Sequence, residues 1–447
     1  MRVAPSDIAA RFALSAPQPV SEAQILPTAV SAQEEGKSYQ RLLSICAFCS
    51  IFGALIFNFL LTYVNTRLFP VTAQMVILCE LTLISLALFA AAGRGMGLYV
   101  VLGVFISYML FLMVVQGSSD PKPIRDALIP IVFIFAGLRL ASPRLANLLV
   151  IVAVPLTIAI GLFEYLDTDR YLDYFNVLGF YLAKGAVQLD EVFGQTRGLF
   201  ISGMRPEPRT ILPFLGQHRV SSIFLEPVSA GNFGAIAYAW ALFSTKMRFR
   251  YLVMAGALAI VSFADARFGL LTCIVVTVGY PFYHMVPRQI WLLVPFIILA
   301  AFVTFGIATG ADGGDNGVAG RLSVTSALLI KLPINVVLGL ETTDQFVADS
   351  GFAYTLTQFG IFGFIGLWAA FVFIPSKSRR GWIFHSMIII YFLMLLLISN
   401  SGYSIKTGAL MWFLLGTALG TPYDDENRDA PKARRSLSPQ DPDATET

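Results

Sequence analysis

The stretch Gln217–Trp240 reads Q-H-R-V-S-S-I-F-L-E-P-V-S-A-G-N-F-G-A-I-A-Y-A-W and sets one carboxylate, Glu226, inside an apolar run. A charge at the centre of a bilayer costs ~2.5–3.5 kcal/mol, and less near an interface, so such residues are retained where they are used or paired. His218 and Arg219 lie just upstream, with Arg219 the partner nearest in sequence. Two readings compete. Glu226 is a functional carboxylate, or it reaches the headgroups beside Pro227, which starts a helix. Pro227 also restricts Glu226 to extended geometry, which predicts a local opening in the backbone.

A second candidate is Arg267, in the polar break F-A-D-A-R-F-G-L, where Asp265 is available as its partner. More arginines fall in two long connecting segments. Residues 167–220 hold Arg170, Arg197, Arg205 and Arg209; residues 309–349 hold Arg321, Lys331, Asp344 and Asp349. Such arginines serve as solvated or headgroup-paired charge, or as the forked donors that bind phosphate and diphosphate. Other motifs fall away. There is no Walker A loop, D-T-D at 167–169 reads as a helix-end turn, and G-A-D-G-G-D-N-G at 310–317 lacks the glutamate of a calcium loop. Gly360, Gly363 and Gly366 read as close-packing positions on a helix. His284 and His385 read as structural.

The elements that position these residues are membrane helices. The chain of 447 residues is 56% hydrophobic and 13% charged, with mean hydropathy +0.71. That excludes an ordinary soluble domain, and the long unbroken apolar runs exclude a β-barrel. The net charge of +3 gives no sign of a nucleic-acid partner. Cys46, Cys49, Cys79 and Cys273 all lie in apolar runs and imply no disulfide framework. Twelve apolar segments are expected, near 42–63, 71–92, 97–116, 126–139, 145–166, 221–244, 249–264, 268–286, 289–308, 350–374, 382–400 and 403–420. Residues 1–41 and 421–447 read as disordered cytoplasmic tails.

Alternate short loops carry ten basic residues (Arg94, Arg139, Arg144, Lys246, Arg248, Arg250, Arg288, Lys377, Arg379 and Arg380), against five on the opposite side (Arg67, Lys122, Arg125, Arg267 and Lys406). The richer side is expected to be cytoplasmic, together with both termini, which places 167–220 and 309–349 outside. Within the second long loop, 322–332 reads as an amphipathic helix on the membrane surface.

Four stretches resemble the bacterial O-antigen polymerase and ligase superfamily, the Wzy-type polysaccharide polymerases, in its exopolysaccharide branch. They are P-I-R-D-A-L-I-P-I at 123–131, R-V-S-S-I-F-L-E-P-V-S-A-G-N-F at 219–233, A-D-A-R-F-G at 264–269 and A-D-S-G-F-A-Y-T-L-T-Q-F-G-I-F-G at 348–363. The resemblance spans about residues 42–420. It implies an all-α polytopic glycosyltransferase of the bacterial inner membrane. Such an enzyme moves glycan repeat units from a polyprenyl diphosphate to an acceptor sugar hydroxyl at the periplasmic face. It also implies Arg219, Arg267 and Arg321 as diphosphate ligands, with no cofactor and no metal. Implied partners are the lipid-linked oligosaccharide, membrane lipid, and the flippase and chain-length regulator of the same pathway. Ligases of the superfamily carry a histidine where this chain has Asp349, which disfavours the ligase reading.

Chemically, a lipid diphosphate is already a good leaving group, so fixed cations that stabilise its developing charge are the main requirement. A carboxylate that takes the acceptor's proton completes the reaction. Glu226, Asp349 and then His218 are the candidates for that base. A flippase or transporter of the same glycan is the alternative from another class, and it would carry charges near the bilayer midplane. Glu80, well inside the second apolar segment, and Glu164 are the residues to watch for it.

Overall fold

The computed structural model describes residues 22–93, 95–188, 192, 196–204, 209–312 and 318–423. Arg94, Arg205, most of the glycine-rich run at 310–317, residues 1–21 and the tail beyond 423 lie outside the described residues. The chain divides into two units, the first ending at Ile45 and the second starting at Cys46.

Every described element is helical. The first five apolar segments are α1 (Glu22–Arg67), α2 (Ala73–Ala91), α3 (Gly97–Gln116), α4 (Lys122–Leu140) and α5 (Pro143–Leu166). Two short helices, α6 (Thr168–Tyr174) and α7 (Val177–Ala183), lie in the first long loop. Then come α8 (Pro227–Phe243), α9 (Arg250–Phe263), α10 (Arg267–Gly279) and α11 (Arg288–Thr309). The second long loop contains α12 (Val318–Lys331) and α13 (Ile334–Val337), and the chain closes with α14 (Gly351–Val372), α15 (Arg379–Leu396) and α16 (Ile405–Gly420). Residues 22–41, expected as part of a tail, are helical and run on into the first apolar segment.

Each apolar segment read from the sequence therefore contains a helix. Among the described residues, seven helices are long and apolar enough to cross a membrane: residues 37–67 of α1, then α2, α3, α5, α11, α14 and α15. This is a helical membrane protein. The other five apolar segments differ for two reasons. Helix α4 has 19 residues but carries Lys122, Arg125, Asp126 and Arg139. Helices α8, α9, α10 and α16 have 17, 14, 13 and 16 residues, which at ~1.5 Å per residue fall short of a ~30 Å hydrocarbon layer.

Burial explains how two of the short helices persist. Nearly every side chain of α8 and α16 is buried, so their surroundings are protein rather than lipid, as a helix apolar all round requires. Helix α16 lies directly against α4. A methyl group on Gly137 would run into the backbone of α16 at Phe413, and one on Gly416 into α4 at Ile134. Of the α14 glycines expected to allow close packing, Gly363 does so, since a methyl group there would meet the Tyr108 ring of α3; the other two differ. Gly360 (φ 63°, ψ 172°) breaks the helix where Gly339 of the second long loop abuts it. The Tyr108 hydroxyl donates to the Phe359 carbonyl at 2.6 Å, satisfying one backbone group at the break. Gly366 faces open space.

Candidate functional site

The chain enters α8 through a 3-10 turn at Ser222–Phe224, with Ser222 and Leu225 both in the left-handed region. Glu226 follows in extended geometry (φ −130°, ψ 126°) with Pro227 at the first helical position, as the Glu-Pro pair predicts. Its side chain does not cap the helix. Instead it faces Lys406 at the start of α16, whose Nζ lies 2.8 Å from Glu226 Oε1. The Tyr181 hydroxyl of α7 donates to the same oxygen, and Ser229 Oγ donates to Oε2 at 2.8 Å. Lys406 also donates to the Tyr181 oxygen at 3.1 Å.

Lys184 completes this cluster, its Nζ standing 3.9 Å from the centre of the Tyr181 ring. Burial, reinforced by the Lys406 ammonium, lowers Lys184 to about 7, against the pull of Glu226 and Glu80. Two ammonium groups thus flank one phenol ring and one carboxylate. The partner of Glu226 is Lys406, 180 residues away, and not the Arg219 that sequence proximity suggested.

A second network adjoins the first through α16. Arg125 of α4 bridges Glu80 of α2 at 2.8 Å and Asp126 at 2.7 Å, and the Tyr354 hydroxyl of α14 donates to the other oxygen of Asp126. Lys122 lies over the Tyr354 ring, 5.4 Å from its centre. A cavity of about 130 Å³ opens among Glu80, Lys122, Arg125 and Asp126 on one side and Asn400, Tyr403 and Ser404 on the other. The starts of α4 and α16 border this cavity, and helix N-termini carry partial positive charge.

The remaining sequence candidates lie in other settings. Arg219 donates from Nε to the Ala264 carbonyl at 3.1 Å and from Nη1 to Ser202 at 3.2 Å. Arg209 donates to the carbonyls of His218, Ser262 and Phe263. These arginines serve backbone acceptors in the first long loop and the α9–α10 turn, where irregular backbone would otherwise be unsatisfied. Asp265 (φ 47°) completes that turn. Its carboxylate accepts from the amides of Thr210 and Ile211 at 3.1 and 2.8 Å, so it is not the ion-pair partner of Arg267.

Arg267 makes no hydrogen bond or ion pair among the described residues, and its Nε is buried without a partner. His218 Nε2 lies 3.1 Å from Glu164 Oε1, and Glu164 also accepts from the amides of Ser221 and Ser222. Arg321 and Asp349 pair with each other at 2.8 Å, with 35% and 46% of their side chains exposed. Of the six site residues read from the sequence, the structure joins Arg321 to Asp349 and gives His218, Arg219 and Glu226 separate partners.

The residues that sequence reading missed are Lys406, Tyr181, Lys184, Asp126 and Tyr354. Lys122, Arg125 and Lys406 were visible as basic residues on the poorer side of the charge bias, and Glu80 as a carboxylate within an apolar segment. Their meeting required the tertiary contacts of α2, α4, α14 and α16. No family model, curated protein or solved structure matches this chain.

Proposed function

We propose that this chain is a polysaccharide polymerase of the bacterial inner membrane. It would transfer glycan repeat units from a polyprenyl diphosphate to an acceptor sugar hydroxyl at the periplasmic face. The observation that carries the reading is the Glu226–Lys406 pair with Tyr181 and Lys184, at the end of the helices where the short loops hold fewer basic residues. A carboxylate among fixed cations at a membrane boundary is what a proton-accepting transfer from an anionic leaving group requires. The proposal includes twelve crossings, both termini cytoplasmic and the two long loops outside; the short helices α8 and α16 would cross within a shell of protein.

In the reaction the acceptor oxygen bonds to the anomeric carbon, the bond from that carbon to the diphosphate oxygen breaks, and the acceptor proton passes to Glu226. Lys406, Lys184 and Arg267 are the cations assigned to the diphosphate. Arg219 is better assigned to holding the loop, since its donors meet backbone carbonyls. Glu226 accepts from three donors at rest. At least one must leave before it takes a proton, and Lys406 turning towards diphosphate is the natural event. Asp349, already paired with Arg321, is the second candidate base. A transporter is less well supported, because Glu80 is held by Arg125 rather than standing free in the layer.

The test is incubation of purified protein with lipid-linked repeat units and no nucleotide sugar. A polymer ladder is expected. Transfer of a single preformed chain to a lipid core would instead identify a ligase, and translocation without transfer a flippase.

A further inference from the structure

The cavity beside Lys406 has a lining that the diphosphate chemistry does not use. Asn400 and Ser404 lie on the short connection between α15 and α16, and both border the cavity. Ser404 occupies the N-cap position of α16 in extended geometry (φ −76°, ψ 134°), yet its hydroxyl does not cap the helix. By contrast Ser142, Ser350 and Ser378 at equivalent positions all accept from their own helix amides. The Asn400 side-chain amide likewise makes no hydrogen bond among the described residues, and Lys122 has only the Tyr354 ring. Three polar groups without hydrogen-bond partners therefore border one small space.

The charges fix what could fill it. Glu80 and Asp126 share the lining with Lys122 and Arg125, so the wall is balanced in charge and offers acceptors and donors together, which suits a neutral polar ligand better than an ion. Tyr403 adds an aromatic ring to the lining while its hydroxyl is engaged by Thr355. A volume of about 130 Å³ holds about four waters at ~30 Å³ each. A ligand that displaces them must return their hydrogen bonds. Carboxylate acceptors, an amide, a hydroxyl and an aromatic ring around a space of that size suit one uncharged sugar ring.

We infer that the cavity among Glu80, Asp126, Asn400, Tyr403 and Ser404 is a binding subsite for a single neutral sugar ring of the glycan. This rests on the glycan reading above for the identity of the natural ligand, but sugar binding is measurable without turnover. Ile405 borders the cavity and Lys406 follows it directly in the chain, reaching Glu226 from the same helix start. A ring seated here would therefore border the same helix start that holds Glu226 through Lys406.

The test uses the purified full chain in detergent, with methyl glucoside, methyl galactoside, methyl glucuronide and inorganic pyrophosphate as separate probes. Saturation-transfer NMR is expected to detect at least one neutral glycoside. Asn400→Ala and Ser404→Ala should each weaken that binding about fivefold, as loss of one hydrogen bond predicts, while Arg250→Ala, at the opposite end of the helices, leaves it unchanged. Pyrophosphate and glucuronide should not displace the neutral ring. Failure of both neutral glycosides to bind, or binding unaltered by both substitutions, overturns the subsite; so does displacement by pyrophosphate. An absent polymer ladder with sugar binding intact would count against the polymerase reading and leave the subsite standing.

Discussion

The two ends of the helices use their cations differently. At one end, arginines meet carbonyls where helices finish. Arg250 donates to Ala241 and Leu242 at the end of α8, Arg380 to Phe243, Arg288 to Phe373 after α14, and Arg139 to Ala90 of α2. The loops there, 92–96, 141–142, 244–249, 280–287 and 373–378, contain no Asp or Glu. At the other end Arg209 and Arg219 also hold loop carbonyls, but carboxylates enter as well: Arg125 pairs with Glu80 and Asp126, Lys406 with Glu226, and Arg321 with Asp349. A cation on a helix C-terminus completes the backbone and complements the dipole. A partly buried ion pair at a cluster of helix starts is more expensive to maintain and gives less stability in return. Under the polymerase proposal, the mixed-charge end would carry the chemistry and the basic end would anchor the helices.

The largest effect that would break this contrast lies at the Glu226–Lys406 pair. Lys406→Met leaves Glu226 without its ammonium. A loss of about 3 kcal/mol of stability is expected, in line with breaking a buried pair, together with loss of polymer formation. Glu226→Gln keeps volume and the hydrogen bonds from Tyr181 or Ser229. It should remain folded and bind lipid-linked substrate, while turnover falls at least ~10²-fold, the lower end for losing a general base. Thermal melts in detergent beside single-turnover rates separate the two. Wild-type turnover in the Gln variant would reduce Glu226 to an anchor and move the base to Asp349.

Arg267 sharpens the contrast next, because it has neither carbonyl nor carboxylate among the described residues. Arg267→Lys keeps the charge and loses the planar fork, so activity should fall about tenfold if the fork holds diphosphate. Melting temperature should barely move. Arg219→Lys is expected to reverse the pattern, lowering stability by about 1 kcal/mol through lost bonds to Ala264 and Ser202. Equal behaviour of the two variants would merge the roles separated here.

At the basic end the expected effects are smaller and confined to stability. Arg250→Ala should cost about 1 kcal/mol, the usual scale for hydrogen bonds to helix-end carbonyls, with turnover per folded molecule unchanged. A drop in turnover would mean that the basic end also takes part in the reaction.

Much of this was legible in the sequence, and what was not has a physical reason. Helices were readable because apolar runs and breaks such as Glu-Pro at 226–227 are local signals. The number long enough to cross was less readable. Helices α8 and α16 look like lipid-facing spans in hydropathy, yet they lie inside protein, where length is no longer tied to the hydrocarbon layer. Glu226 was singled out by its placement, but its partner was not. Arg219 is near in sequence, and the fold directs it to the Ala264 carbonyl while Lys406 arrives from another helix. Asp265 beside Arg267 misled in the same way, since a left-handed turn aims its carboxylate at backbone amides. Asp126 and Tyr354 give no signal by themselves, because an acidic residue at a helix start and a tyrosine in an apolar segment are common.

A further effect is a matter of pH and rests on Lys184. Its ammonium is disfavoured by burial and by Lys406, which brings it to about 7 in the folded chain, against ~10.4 for an unperturbed lysine. Below about 7 the group is charged in both the folded and unfolded states, and the folded state bears the full penalty. Between about 7 and ~10.4 the unfolded chain holds the proton more tightly, so stability should rise with pH through this window. Lys184→Gln removes the titrating group. Its melting temperature should exceed that of the wild type below about pH 7, and the difference should shrink as pH increases. Binding of an anion reverses the sign for function: diphosphate favours the charged form, so affinity should be greatest below about 7 and fall above it, with proton uptake on binding near neutral pH. Calorimetry with pyrophosphate in buffers of different ionisation enthalpy reads that uptake directly. No uptake, with the same pH profile in wild type and Lys184→Gln, would take Lys184 out of the anion site and leave Lys406 as the cation facing Glu226.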